Sequence, residues 1–149
     1  MEKKLNILVI NGPNLNMLGV REPQIYGKET LTDIEEHCRA ICEEANTELN
    51  WIQSNNEGDL VTAIQQAYSF VDWIVINAAG YTHTSVALRD ALALFSGKKI
   101  EVHLSNIHKR ESFRHESMIS AVCDGVVLGF GAMSYIMAIR GILEMARES

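Results

Sequence analysis

Short apolar, β-branched runs alternate along this chain with longer stretches in which apolar residues recur every three and four positions. The runs at residues 5–10, 51–52, 73–76, 100–104 and 126–130 read as strands, and helical periodicity fills most of the intervals between them. The first helix is expected from about residue 32, behind the capping signals Thr30-Leu31-Thr32-Asp33, with Ile34, Cys38, Ile41, Cys42 and Ala45 on one face. A second, over about 57–70, turns Leu60, Ile64, Ala67 and Val71 inward, and a third, over 85–95, does so with Leu88, Ala91, Leu92 and Phe95. The last, over about 132–147, is apolar around much of its girth through Ile136, Met137, Ile139, Ile142, Leu143 and Met145. It can cover the sheet and also serve a subunit interface.

Strands joined by crossover helices form a parallel sheet. Five at this spacing predict an α/β, doubly wound, flavodoxin-like sheet of order 2-1-3-4-5 with helices on both faces, and 149 residues suit a single domain over 1–149. Ligands of such sheets bind outside the carboxyl ends of the strands at the switch point. Those ends carry Asn11, then Ser54 and Asn55, Asn77, His103, and Gly129 to Gly131, a crevice of amides and a histidine rather than of acids. The connector after the first strand, residues 11–30, is far longer than a plain turn, and loops of that length are usually lids or binding loops. It holds both prolines, Pro13 and Pro23, and the pair Arg21 and Tyr26. Gly19 and Gly27 bracket that pair, so a hinged lid is expected over about 16–28.

Charge and composition narrow the partners. Thirteen Lys and Arg against nineteen Asp and Glu give −6, which argues against nucleic acid but allows a small anionic substrate. Residues 125–139 carry no charge, but they include three glycines and fall short of the ~20 apolar residues of a membrane span. The N-terminus enters a strand without an apolar signal region, so a cytoplasmic location is expected. Cys38 and Cys42 sit one helical turn apart and Cys123 is remote, neither a disulfide framework nor a zinc spacing.

The crevice residues exclude several chemistries. Phosphotransfer domains of this topology gather aspartates where this chain has Asn11 and Asn77, and Gly12-Pro13-Asn14-Leu15 supplies no phosphate cradle for a flavin. There is no G-x-x-x-x-G-K-[ST] and no G-x-S-x-G, and Gly129-Phe130-Gly131 lacks the third glycine of a dinucleotide fingerprint. His103, His108 and His115 lack a metal-ligand spacing, so no metal is expected. None of the six lysines is expected in an apolar strand interior, where desolvation would fit it for imine chemistry. What remains is Glu101 and His103, which alternation along a strand turns to the same side, so that a carboxylate can orient an imidazole acid. Next to them, Leu104-Ser105-Asn106 can offer backbone N–H groups to an anion, and Arg110 and Arg114 are expected one helical turn apart.

Three ordered motifs then stand out: N-G-P-N-L-N-M-L-G-V-R-E-P-Q-I-Y-G over 11–27, N-A-A-G-Y-T-H-T-S-V-A-L-R-D-A over 77–91, and E-V-H-L-S-N-I-H-K-R-E-S-F-R over 101–114. With the ending G-V-V-L-G-F-G-A-M-S-Y, the chain resembles type II 3-dehydroquinate dehydratases over essentially its whole length. These are shikimate-pathway enzymes of aromatic amino acid biosynthesis that convert 3-dehydroquinate to 3-dehydroshikimate and water.

The resemblance implies one catalytic domain working without a cofactor, by anti elimination through an enolate. In it Tyr26, made more acidic by Arg21, removes a proton from C2, and a water held by Asn14 stabilises the enolate. His103, oriented by Glu101, protonates the departing C1 hydroxyl. It implies substrate contacts from Asn77, from the backbone of Leu104 and Ser105, and from His83, Arg110 and Arg114. Asp90 matches an acid that the family reaches across a subunit boundary, which implies a dodecamer built as four trimers. The alternative is a catalytically silent, flavodoxin-like binding module. One departure stands in Asn77-Ala78-Ala79-Gly80, where relatives often have a glycine at position 79. Alanine resists positive φ, so Gly80 is expected to take the tight turn.

Overall fold

The computed structural model describes residues 3–20, 24 and 28–147. Its sheet has five parallel strands: β1 (Asn6–Asn11), β2 (Glu48–Gln53), β3 (Trp73–Asn77), β4 (Lys98–His103) and β5 (Gly125–Leu128). Their order is β2-β1-β3-β4-β5, as the alternation predicts. The helices α1 (Leu31–Glu44), α2 (Glu57–Ala67), α3 (Val86–Leu94) and α4 (Met133–Arg147) connect or follow them. Short 3-10 turns, among them Leu15–Met17, Ala79–His83, Ile107–Lys109, Ser112–Arg114 and Ser120–Val122, follow the strand ends.

Each strand divides its side chains between two cores. Ile7 and Val9 of β1, Trp73 and Val75 of β3, and Ile100 and Val102 of β4 pack beneath α1 and α4, while Leu8, Ile10, Ile74 and Ile76 pack beneath α2 and α3. Burial on both faces is why the central strands read as continuous apolar runs. Strand β2 lies at the edge and alternates, with Leu49 buried between exposed Glu48 and Asn50, so it runs over six residues where only 51–52 read as apolar. On the β4 face opposite Ile100 and Val102 stand Lys99, Glu101 and His103, all buried. Lys99 contradicts the expectation that no lysine is buried in a strand. Its Nζ donates to the carbonyl of Leu92 at 2.8 Å and to that of Phe95 at 3.4 Å, closing the end of α3.

Local signals set the helix boundaries. Thr30 accepts from the Asp33 N–H at 3.1 Å while the Asp33 carboxylate accepts from the Thr30 N–H at 3.0 Å, a reciprocal cap that starts α1. Ser85 accepts from the Leu88 N–H at 2.9 Å and starts α3. Helix α4 buries Tyr135, Ile136, Ala138, Ile139 and Ile142 against the sheet and leaves Met133, Met137 and Met145 exposed, so its girth is divided between a core stripe and an outward methionine face.

Two backbone expectations are corrected. Arg110 and Arg114 do not share a helix: Arg110 is extended between the turns Ile107–Lys109 and Ser112–Arg114. The tight turn after β3 falls on Ala79, at φ 53°, and not on Gly80. The Asn77 carboxamide oxygen accepts the Ala79 N–H at 3.1 Å and bends the chain one residue earlier than glycine placement suggests. A left-handed alanine costs about 1–2 kcal/mol, and a glycine there would forfeit about 0.4–1 kcal/mol through its freer unfolded chain. Ala79→Gly is therefore expected to raise the unfolding free energy by about 0.5–1 kcal/mol, measured by urea denaturation with an unchanged slope.

Candidate active site

The carboxyl ends of β1, β3 and β4 open into a cleft of about 120 Å³, lined among others by Asn14, Asn77, His83, His103, Leu104, Ser105, Arg110 and Arg114. Glu101 stands behind His103 with no exposed surface. Asp90 is exposed on α3 and does not line this cleft. Arg21 and Tyr26 lie outside the described residues, as do residues 21–23 and 25–27 of the lid expected over 16–28.

His103 and Glu101 are one strand repeat apart, and the imidazole Nε2 lies 2.5 Å from the Glu101 carboxylate. A carboxylate only accepts, so His103 carries a proton on Nε2 and keeps Nδ1 for the cleft it lines. Ser117 donates to the same carboxylate oxygen at 2.9 Å and Ser120 donates to the other. Ser117 is itself held, its hydroxyl oxygen accepting from the N–H groups of Ile119 at 3.2 Å and Ser120 at 3.1 Å. Burial pushes the Glu101 carboxyl up, but the hydrogen bonds from His103, Ser120 and Ser117 and the imidazole's charge outweigh it and hold the group below its ordinary value. Glu101 is thus an anion fixed in a dry place, where it holds and orients the His103 ring.

His83 sits on the turn Ala79–His83, and its Nδ1 donates to the carbonyl of Glu116 at 2.7 Å, which leaves Nε2 to accept from a ligand hydroxyl. Burial, together with the charges of His103 and Arg114, lowers its pKa below the ordinary histidine value against the opposing hydrogen bond to Glu116. Arg114 pairs with Glu111 at 3.1 Å, and the same carboxylate lies 3.7 Å from Arg110, so one acid steadies two guanidinium groups at the cleft wall.

At the start of the connector that follows β1, Asn14 takes a left-handed conformation with φ 69°, and its N–H donates to the Asn55 side chain at 3.0 Å. Gln53 donates to the Gly12 carbonyl at 3.1 Å and Tyr81 to the Asn55 carbonyl at 2.8 Å, tying β2 and the turn after β3 to that segment. Asn11 and Asn77 are register partners on β1 and β3, and the buried hydroxyl of Tyr135 bridges them, 2.7 Å from Asn11 and 3.0 Å from Asn77.

Sequence reading brought together His103, Glu101, Asn14, Asn77, His83 and the arginines, and it missed the residues that support them. Those residues are Ser117, Ser120, Glu111 and Tyr135, none of which has a local pattern that marks a role at the cleft. Only the motif ending in Ser134-Tyr135 hinted at the last of these. Among the described residues, no group of three or more His, Cys, Asp or Glu is placed to hold a metal ion, and no helix is long and apolar enough to cross a membrane.

The depressed pKa of Glu101 has a signed consequence. The unfolded state takes up the proton first, so the stabilisation is present above the ordinary glutamate value of about 4.5 and is lost as pH falls through the lower folded value. His83 acts in the same direction in the window below its ordinary value of 6.5. Urea denaturation across pH 7 to 3 is expected to show falling stability, with a shallower fall below pH 4.5 in Glu101→Gln than in the parent.

Comparison with known proteins agrees with this geometry. The family model described as dehydroquinase class II matches residues 5–143. A 3-dehydroquinate dehydratase of Campylobacter jejuni subsp. jejuni is 48% identical over 144 residues, which cover 97% of this chain and 91% of that one. One from Jannaschia sp. is 49% identical over 144 residues, covering 97% of each. The crystal structure of a type II dehydroquinase from Butyrivibrio crossotus superposes with a TM-score of 0.91 at 49% identity, covering 95% of this chain and 98% of that one. A 3-dehydroquinate dehydratase-like protein from Bifidobacterium longum superposes at 0.71 with 27% identity, over 95% of this chain and 98% of that one. By fold and sequence alike, the chain belongs to the class II dehydroquinase family.

Proposed function

We propose that this protein is a 3-dehydroquinate dehydratase, a hydro-lyase that removes water from 3-dehydroquinate to give 3-dehydroshikimate on the route to aromatic amino acids. The observation that carries this reading is the buried Glu101–His103 pair at the floor of a cleft with two arginines on its wall, in a chain of this family.

Tyr26, as a phenolate favoured by the charge of Arg21, takes the C2 proton next to the substrate ketone. A phenol's ordinary pKa of about 10 must fall for this, and a neighbouring guanidinium favours the charged form. The electron pair moves into a C3 enolate, which a water held near Asn14 stabilises. Oxyanion contacts of this kind are worth about 2.7–4 kcal/mol. The C1–O bond then breaks as the His103 imidazolium delivers its proton, so that water leaves, and solvent returns the Tyr26 proton to His103. Glu101 keeps the ring of His103 oriented throughout. Asn77 and the backbone of Leu104 and Ser105 take the substrate carboxylate, and Arg110, Arg114 and His83 the ring oxygens. Asp90 completes the site of a neighbouring subunit, within a trimer and a dodecamer of four trimers, which fits its absence from this chain's own cleft. A cytoplasmic setting suits the three free cysteines.

On adding 3-dehydroquinate to metal-free protein, near-ultraviolet absorbance of the conjugated product should rise, and Tyr26→Phe and His103→Ala should slow that rise by about 100-fold or more. No absorbance change with the parent protein sinks the proposal. Borohydride added with substrate should leave activity intact because no imine forms, and rapid inactivation would point to a lysine instead. In sedimentation velocity the active species should be an oligomer; an active monomer refutes the role given to Asp90.

A further inference from the structure

We propose that Tyr135, a residue of the last helix that lines no part of the cleft, is a positioning residue that decides which end of the Asn77 carboxamide faces the substrate. This rests on the reading above that Asn77 contacts substrate. Asn11, Asn77 and Tyr135 are all buried, Tyr135 completely. The tyrosine ring is held by stacking on Trp51, with centroids 5.8 Å apart and an interplanar angle of 28°.

The hydrogen bonds run in one direction. Asn11 Nδ2 donates to the carbonyl of Ile52 at 2.9 Å, so Asn11 presents its Oδ1 to Tyr135. Tyr135 donates its single proton to that oxygen at 2.7 Å, which leaves its own oxygen to accept. Asn77 Nδ2 fills that acceptor at 3.0 Å, and Asn77 Oδ1 accepts from the Ala79 N–H at 3.1 Å. Rotating the Asn77 amide by half a turn would set two acceptors against each other at Tyr135 and two donors against each other at Ala79. Two buried mismatches of that kind exclude the flipped form. Burial also holds the Tyr135 phenol far above its ordinary pKa, so the donated proton stays on the oxygen. The chain of bonds therefore begins at β2, passes through the last helix, and ends by assigning the second Nδ2 proton of Asn77 to the cleft. The cleft receives a donor there, suited to an oxygen of an anionic or hydroxylated ligand.

Tyr135→Phe keeps the ring and its stacking and removes only the hydroxyl. With 3-dehydroquinate, its kcat/KM is expected to fall about tenfold or more, mainly through a higher KM. Asn77→Ala should lose at least as much, and the double variant should lose no more than Asn77→Ala alone, because both changes act through one group. A hydroxyl that merely satisfied buried amides would lower Tm and leave KM and kcat of the folded protein at parent values, which overturns the inference. Asn11→Ala breaks the chain from its other end and decides the matter if Tyr135→Phe does not fold: a raised KM supports the inference and a parent KM overturns it. If Asn77→Ala itself leaves KM unchanged, the substrate contact given to Asn77 fails, and the inference falls with it. Loss in Asn77→Ala with none in Tyr135→Phe overturns the inference alone.

Discussion

A polar group taken out of water must find a partner, and at the carboxyl ends of this sheet that requirement organises everything around it. The central strands are buried on both faces, so the polar residues that end them cannot rely on solvent. Glu101 is answered by His103, Ser117 and Ser120, and Asn11 and Asn77 are answered by Ile52, Tyr135 and Ala79. Leaving one such group unmet costs about 1–3 kcal/mol, so these partners fix the direction in which each polar group points. Such orientation suits a site whose groups must be aimed before a ligand arrives.

Electrostatics follows from the same arrangement. The protein as a whole carries −6, yet its cleft gathers Arg110 and Arg114, so the local field there runs opposite to the net charge. Glu111 steadies both guanidinium groups from the solvent side without entering the cleft lining. Glu101 is the one carboxylate beneath the floor, and it is committed to the imidazole. The imidazole and the two guanidinium groups therefore line one cleft while their counter-charges stay out of its lining.

Strain is stored at the same place. Ala79 is left-handed because Asn77 Oδ1 captures its N–H, and Asn77 in turn is oriented through Tyr135. The expectation that Gly80 would take this turn came from side-chain freedom alone, and a hydrogen bond from two residues upstream overrode it. Backbone held in a costly conformation beside a cleft is sustained by the structure around it, here by a tyrosine 58 residues along the chain.

Periodicity was enough for the strand order, the four helices and the two cores, because burial on both faces forces continuous apolar runs and amphipathic stripes that a sequence displays openly. It was also enough for the Glu101–His103 pair, since a two-residue spacing on a strand shares a face by geometry. The motifs carried Asn14, Asn77, His83 and the arginines, whose types and order were visible without a fold. It was not enough for β2, whose edge position lets polar residues alternate, or for Lys99, whose buried amine is satisfied by carbonyls at the end of a helix it does not belong to. Ser117, Ser120 and Tyr135 were legible only as loop or core residues, because their roles are hydrogen bonds to partners 16, 19 and up to 124 positions away. Local pattern determined which strands and helices form and which residue types reach the cleft. Tertiary contact alone decided how each polar group there is oriented, because hydrogen-bond direction depends on partners that the chain brings together only by folding.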